Sequence, residues 1–260
     1  MDYLDILNET IKNSTNDNGF KTKRESKEFK LSYSKIGYPY YKIGSLASSA
    51  RLGFLYLCSK YDPNNIKLEW HLLNGTTNSK KWNKANINDA QLDAYYSLER
   101  ICFECKCQEI FEKKEKLSKS YVPLLKNYFG INSNVSNDKI EETLLNLKIS
   151  NTNKKDELYY NLMFDVKQLF THLCALIKLS KEPLETCTLK YIFFKPNNNV
   201  MSVELSEKYA ELQEEIEFIR NSDLIKIVNE KYGIKFDYEL IDVSNSLFTK
   251  NPKYYLEKVK

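Results

Sequence analysis

The sequence predicts an α/β protein: a single domain over residues 1–260, with a mixed central sheet of about four to six strands flanked by helices. Three observations lead there. Apolar residues recur at helical spacing in long runs, chiefly Ser45 to Lys60, Lys155 to Ser180 and Leu205 to Tyr232, while short β-rich runs lie between them. No internal repeat and no linker divides the chain. Only 7 of the 260 residues are Gly, too few for a loop-built or barrel fold.

Taken in order, residues 1–12 carry Tyr3, Leu4, Ile6, Leu7 and Ile11 at helical intervals and predict a short helix. Phe29 to Tyr33 reads as an edge strand, and Tyr38-Pro39-Tyr40-Tyr41 as an extended segment, because Pro disfavours helix in the residue before it. Ser45 to Lys60 predicts the first strong helix. Leu46, Ser49, Ala50, Gly53, Phe54 and Leu57 lie along one face of it, and the small residues suit close packing on a sheet. Asp62-Pro63-Asn64-Asn65 is turn chemistry. A strand follows at Lys67 to Leu73, ending at Asn74-Gly75, and a polar loop at 76–89 leads to the central stretch.

Beyond it, helices are expected at 120–129 and 138–147, then the long helix from Lys155 to Ser180, closed by Pro183. Thr186 to Lys195 is apolar on both faces, as a fully buried strand should be. Leu205 to Tyr232 is one long helix or two, with Gly233 as its stop. Ile234 to Val243 alternates as a half-exposed last strand, and the tail from Ser244 is basic.

Net charge is a mild +4, which gives no general attraction to polyanions but allows a local basic cleft among 39 Lys and Arg. No signal peptide opens the chain and no apolar run approaches the roughly 20 residues of a membrane span, so a cytoplasmic protein without membrane contact is expected. The six Cys and two His lack the paired spacing of a zinc site, and buried reduced thiols are the expectation.

The stretch Gln91 to Glu109, QLDAYYSLERICFECKCQE, organises the rest. Two strand-like runs flank the turn Ser97 to Arg100. Side chains alternate along a strand, so Phe103, Cys105 and Cys107 share an apolar face, while Cys102, Glu104, Lys106 and Gln108 share the other. An acid and a base thus point the same way inside a strand greasy enough to be central. Burying such a pair is costly unless partners or a metal compensate it. With Asp93 on the neighbouring strand, two carboxylates can hold a Mg²⁺, which takes one or two carboxylates and keeps its waters. The alternative reading of Glu104 and Lys106 is an exposed pair on an edge strand, worth little. Gln168 and His172 are four residues apart and share a helix face; a lone helical His is otherwise an ordinary core residue.

Asp93, Glu104 and Lys106 resemble the signature of the PD-(D/E)xK nuclease superfamily. The segments ICFECKCQEIFEKK, DVKQLFTHLCAL and TLKYIFFKP are similar to those of small bacterial restriction-endonuclease-like proteins. The similarity extends over roughly residues 45–240, with the nuclease core at about 45–195. It implies a restriction-endonuclease-like fold and a Mg²⁺-dependent DNA endonuclease of restriction or defence type, with Mn²⁺ able to substitute. Asp93, Glu104 and Lys106 would be catalytic. Asp93 and Glu104 would bind the metal, and Glu69 would replace the metal-binding Glu that many members carry on the first helix and that Ser45 to Lys60 lacks. The Pro that usually precedes the Asp is replaced by Leu92. Gln108, Gln168 and His172 are candidate substrate-binding residues, with Tyr38, Tyr40, Tyr41 and Lys42 as further DNA contacts. A homodimer is expected by analogy, since double-strand cutters need two sites. The competing class is a non-catalytic nucleic-acid- or protein-binding module on the same fold. On the catalytic reading, Lys106→Ala is expected to abolish cleavage and leave the fold intact.

Overall fold

The structure, a computed structural model, describes residues 49–62, 65–72, 90–112, 128, 162–179 and 186–244, with the backbone alone at Glu69, His71 and Gln108. The helices expected at 1–12 and 138–147, the edge strand at 29–33, the aromatic segment 38–42, the loop 76–89 and the basic tail after Ser244 lie outside these residues, as does 120–129 apart from residue 128.

Among the described residues, five strands form one mixed sheet in the order β1-β2-β3-β4-β5. They are β1 (Ile66–His71), β2 (Gln91–Tyr96), β3 (Ile101–Lys106), β4 (Cys187–Lys195) and β5 (Ile234–Asp242). β1–β2 and β2–β3 pair antiparallel, and β3–β4 and β4–β5 pair parallel. The α/β class and the mixed sheet with flanking helices are therefore as the sequence predicts. No helix among the described residues is long and apolar enough to cross a membrane.

The α-helices described in full are α1 (Ser49–Lys60), α2 (Val166–Leu179), α3 (Val203–Arg220) and α4 (Asp223–Tyr232). One core packs α1 against Phe103, Cys105 and Cys107 of the β3 region, Ala94 and Tyr96 of β2, and Ile192 and Phe194 of β4. The other packs α2, α3 and α4 against Leu92, Cys102, Leu189, Tyr191, Phe193 and Phe236. β4 thus buries both faces, as its continuous apolar run requires.

Three local expectations change. α1 is buried all round from Arg51 to Cys58, rather than along one stripe. The helix expected from Lys155 begins only at Val166; Leu162 to Asp165 are not helical. Asp165 Oδ1 accepts from Gln168 N at 2.8 Å, an N-cap contact that satisfies an otherwise orphaned N–H and sets the start. Upstream, Glu215 Oε2 of α3 accepts from the backbone N–H of Met163 at 2.9 Å and Phe164 at 3.1 Å, pinning the approach to α2. The run 205–232 is two helices. Ser222 caps α4 by accepting from Ile225 N, and Gly233, at φ 66°, ends it in the left-handed conformation that Gly adopts without a Cβ penalty.

α1 approaches β3 so closely that a Cβ on Gly53 would lie 2.6 Å from Cys105 Sγ. Gly53→Ala is expected to cost about 1–3 kcal/mol by overpacking. Cys105→Ala should relieve most of that in the double variant; denaturant unfolding of the four-member cycle measures the coupling.

Burial pushes the Glu215 carboxyl up to about 7, although the two backbone donors pull it down. The folded state then keeps a proton that the unfolded chain releases near the ordinary carboxyl value. Glu215 should therefore erode stability as pH rises from the ordinary carboxyl range to about 7, by at most about 1.4 kcal/mol per pH unit. Glu215→Gln removes this slope, read as the difference between the two proteins' urea midpoints across pH.

Candidate active site

β2 and β3 stay paired from Tyr96↔Ile101 to Ala94↔Phe103. At the next position the Asp93 side chain takes over: its Oδ2 accepts from Cys105 N at 2.6 Å. The carboxylate stands where a strand carbonyl would in a continuing ladder. β2 also changes core there, since Leu92 packs on the α2 side and Ala94 and Tyr96 on the α1 side. Asp93 lines a small cavity on the α1 side with Ala50, Gly53, Phe54 and Leu57 of α1, Leu68 and Cys105.

Glu104 projects to the α2 side and is 4% exposed. Two donors meet on its Oε1: Lys106 Nζ at 2.7 Å and Gln168 Nε2 at 2.8 Å. Glu104 and Lys106 therefore do not form an exposed edge pair; β3 is flanked on both sides, and the Lys106 side chain is only 17% exposed. Burial alone would lower the Lys106 pKa, but Glu104 first, then Asp93 and Glu109, hold it above its ordinary value. The ammonium form is the stable one here. Asp93 and Glu104 also both act on the Tyr191 phenol, whose pKa burial and these acids raise. The fields of the two carboxylates overlap at Lys106 and Tyr191.

Behind Glu104 lies His172, fully buried. Its Nδ1 is 3.0 Å from the Tyr191 hydroxyl and its Nε2 is 3.1 Å from the Gln91 carbonyl oxygen, while Glu104 Oε2 is 3.9 Å from Nε2. Burial lowers the His172 pKa despite Glu104, so the ring is neutral. A carbonyl can only accept, so the proton sits on Nε2 and Nδ1 accepts from Tyr191 O–H.

Of the residues singled out in the sequence, Glu104, Lys106, Gln168 and His172 come together, and Asp93 stands at the adjacent strand divergence. The strand expected to run through Gln108 is corrected: β3 ends at Lys106, and Gln108 opens a 3-10 turn, Gln108–Phe111, so it is not a strand neighbour of Lys106. That turn is fixed by Glu109 Oε2, which accepts from Cys107 N at 2.7 Å, while Glu109 Oε1 accepts from Ser49 Oγ of α1 at 2.7 Å. The side chains of Gln108 and Glu69 lie outside the described residues; the backbone of Glu69 is in β1.

Glu109 and Tyr191 were not anticipated. Tyr191 pairs with Glu104 across the parallel β3–β4 ladder, a register that no local pattern encodes. Glu109 could have been noticed only by ending the strand early. Among the described residues, no group of three or more His, Cys, Asp and Glu side chains is arranged to hold a metal ion. A Mg²⁺ site of two carboxylates completed by water does not need one.

Compared with protein-family models, curated proteins and solved structures, the chain matches none of them.

Because Glu104 is nearly buried, removing its cation leaves an uncompensated charge. The expectation that Lys106→Ala spares the fold is revised accordingly: it should cost about 3–5 kcal/mol, whereas Lys106→Ala combined with Glu104→Gln should recover most of that loss. Urea unfolding of the single and double variants checks it; equal losses in both would show that the pair carries no such coupling.

Proposed function

We propose that this chain is a Mg²⁺-dependent DNA endonuclease that hydrolyses phosphodiester bonds, on a restriction-endonuclease-like fold and of restriction or defence type. The observation that carries the reading is the acid-x-Lys pair of β3, buried and intact, beside an Asp at the point where β2 leaves the ladder. A desolvated pair with no task is an expensive way to stabilise a sheet.

In this reading Asp93 and Glu104 hold the ion, and their chemistry fits: hard oxygen donors, few in number, leaving room for water and a phosphate oxygen. The bound ion, Mg²⁺ or Mn²⁺, supplies Lewis-acid polarisation of the phosphate and a more acidic water. Cys105 N–H fixes one Asp93 oxygen, so the carboxylate cannot rotate freely. Gln168 and Lys106 both engage Glu104 Oε1, turning its Oε2 away from them. Lys106, held as an ammonium, orients the attacking water and offsets charge developing on the phosphate, rather than taking the proton. Glu69 remains a candidate third carboxylate from β1. DNA is the proposed partner, and a homodimer the proposed assembly for double-strand cutting.

Plasmid cleavage tests this directly. Nicking or linearisation is expected with Mg²⁺ or Mn²⁺ and none with EDTA. Asp93→Asn, whose amide oxygen can still accept from Cys105 N–H, should reduce the rate at least about a hundredfold, the scale of losing one group that acts on developing charge. DNA affinity should also fall steeply with salt, by a log–log slope of about 0.9 per phosphate contacted. Salt-sensitive DNA binding with no cleavage under any divalent ion would make the chain a non-catalytic binding module; cleavage unaffected by Asp93→Asn would falsify the site.

A further inference from the structure

We infer that His172 is a positioning residue that sets the separation of Asp93 and Glu104, acting through the Gln91 carbonyl rather than as a ligand or a base. The inference rests on the metal-site reading above. Beyond Ala94 the β2–β3 ladder stops, and toward β3 the Asp93 carboxylate accepts from Cys105 N, while the other edge of β2 stays paired with β1 through Trp70↔Leu92 and His71↔Gln91. His172 Nε2–H adds a tie from the α2 layer, to a carbonyl two residues from Asp93. One turn earlier on the same face of α2, Gln168 holds Glu104 Oε1. A single helix face therefore grips the strand end that carries one carboxylate and the side chain of the other. Tyr191, the ladder partner of Glu104, donates to Nδ1 and keeps the proton on Nε2. Both ring nitrogens are thereby engaged, which leaves neither to bind a metal or accept a proton from water. The contact with Glu104 Oε2 is 3.9 Å, too long for a hydrogen bond, so the ring borders that oxygen without occupying it.

Ring-nitrogen NMR of the whole chain should find His172 neutral with its proton on Nε2, and calorimetry should follow Mn²⁺ binding in parallel. Second-sphere partners of this kind are worth about 10–100-fold in metal affinity, so His172→Leu should weaken Mn²⁺ binding at least about tenfold. His172→Gln, whose amide N–H can still reach the Gln91 carbonyl, should stay within about threefold of wild type, a rescue that bulk packing would not give. Should His172→Leu fail to fold, Tyr191→Phe reads the same tie: it should loosen the tautomer and weaken Mn²⁺ binding. A proton on Nδ1 overturns the inference, as does unchanged Mn²⁺ affinity in a folded His172→Leu or in a Tyr191→Phe with altered tautomer. A wild-type chain that binds no Mn²⁺ overturns the metal-site reading itself, and the inference with it; binding that is indifferent to residue 172 overturns the inference alone.

Discussion

The ion pair between Glu104 and Lys106 is the constraint on which the described structure turns. Putting two charges on the inner face of a central strand removes most of their hydration, and only close partners can offset that. Their mutual 2.7 Å contact supplies part, and the Gln168 amide supplies more. Gln168 in turn requires α2 to start where Asp165 caps it and to lie across β3 and β4. Glu215, reaching from α3 to the backbone before α2, holds that start in place. The packing on the α2 side can be followed outward from one carboxylate.

The opposite face obeys a different rule. It is apolar and tight, and α1 lies so near the sheet that only a hydrogen fits on Gly53 above Cys105. Asp93 stands in the seam between the two regimes. Its carboxylate satisfies a backbone N–H where strand pairing ends, which lets β2 diverge without leaving that donor buried and unpaired. A polar residue within these largely apolar strands thus has a structural role of its own.

Much of this was legible because strand alternation is a rigid rule. It assigned Phe103, Cys105 and Cys107 to one core and Glu104 with Lys106 to the other face, and the four-residue spacing of Gln168 and His172 put both on one helix face. The failures have equally local causes. Gln108 was counted as a strand residue because nothing in CQEIF marks the end of β3; the terminator is the Glu109 side chain folding back on Cys107 N. The long helix was begun about ten residues early because apolar periodicity continues upstream of Asp165, and capping decides where a helix starts. Tyr191 was hidden in an apolar strand, since its partner is chosen by parallel register across a long crossover. The approach of Gly53 was anticipated as close packing, but its target was not.

The shielding of Cys105 has a kinetic side. The residue is 2% exposed, its sulfur is roofed by the backbone of α1 at Gly53, and burial holds its pKa well above the ordinary value. Such a sulfur reacts with an alkylating reagent only in the fraction of time that the helix lifts off the strand. β3 carries Glu104 and Lys106 on its other side, so the seam that would bare Cys105 is also the seam along which the acid-bearing strand would lose its backing. The rate at which that thiol is labelled is therefore a built-in clock for the opening of the layer beneath the site.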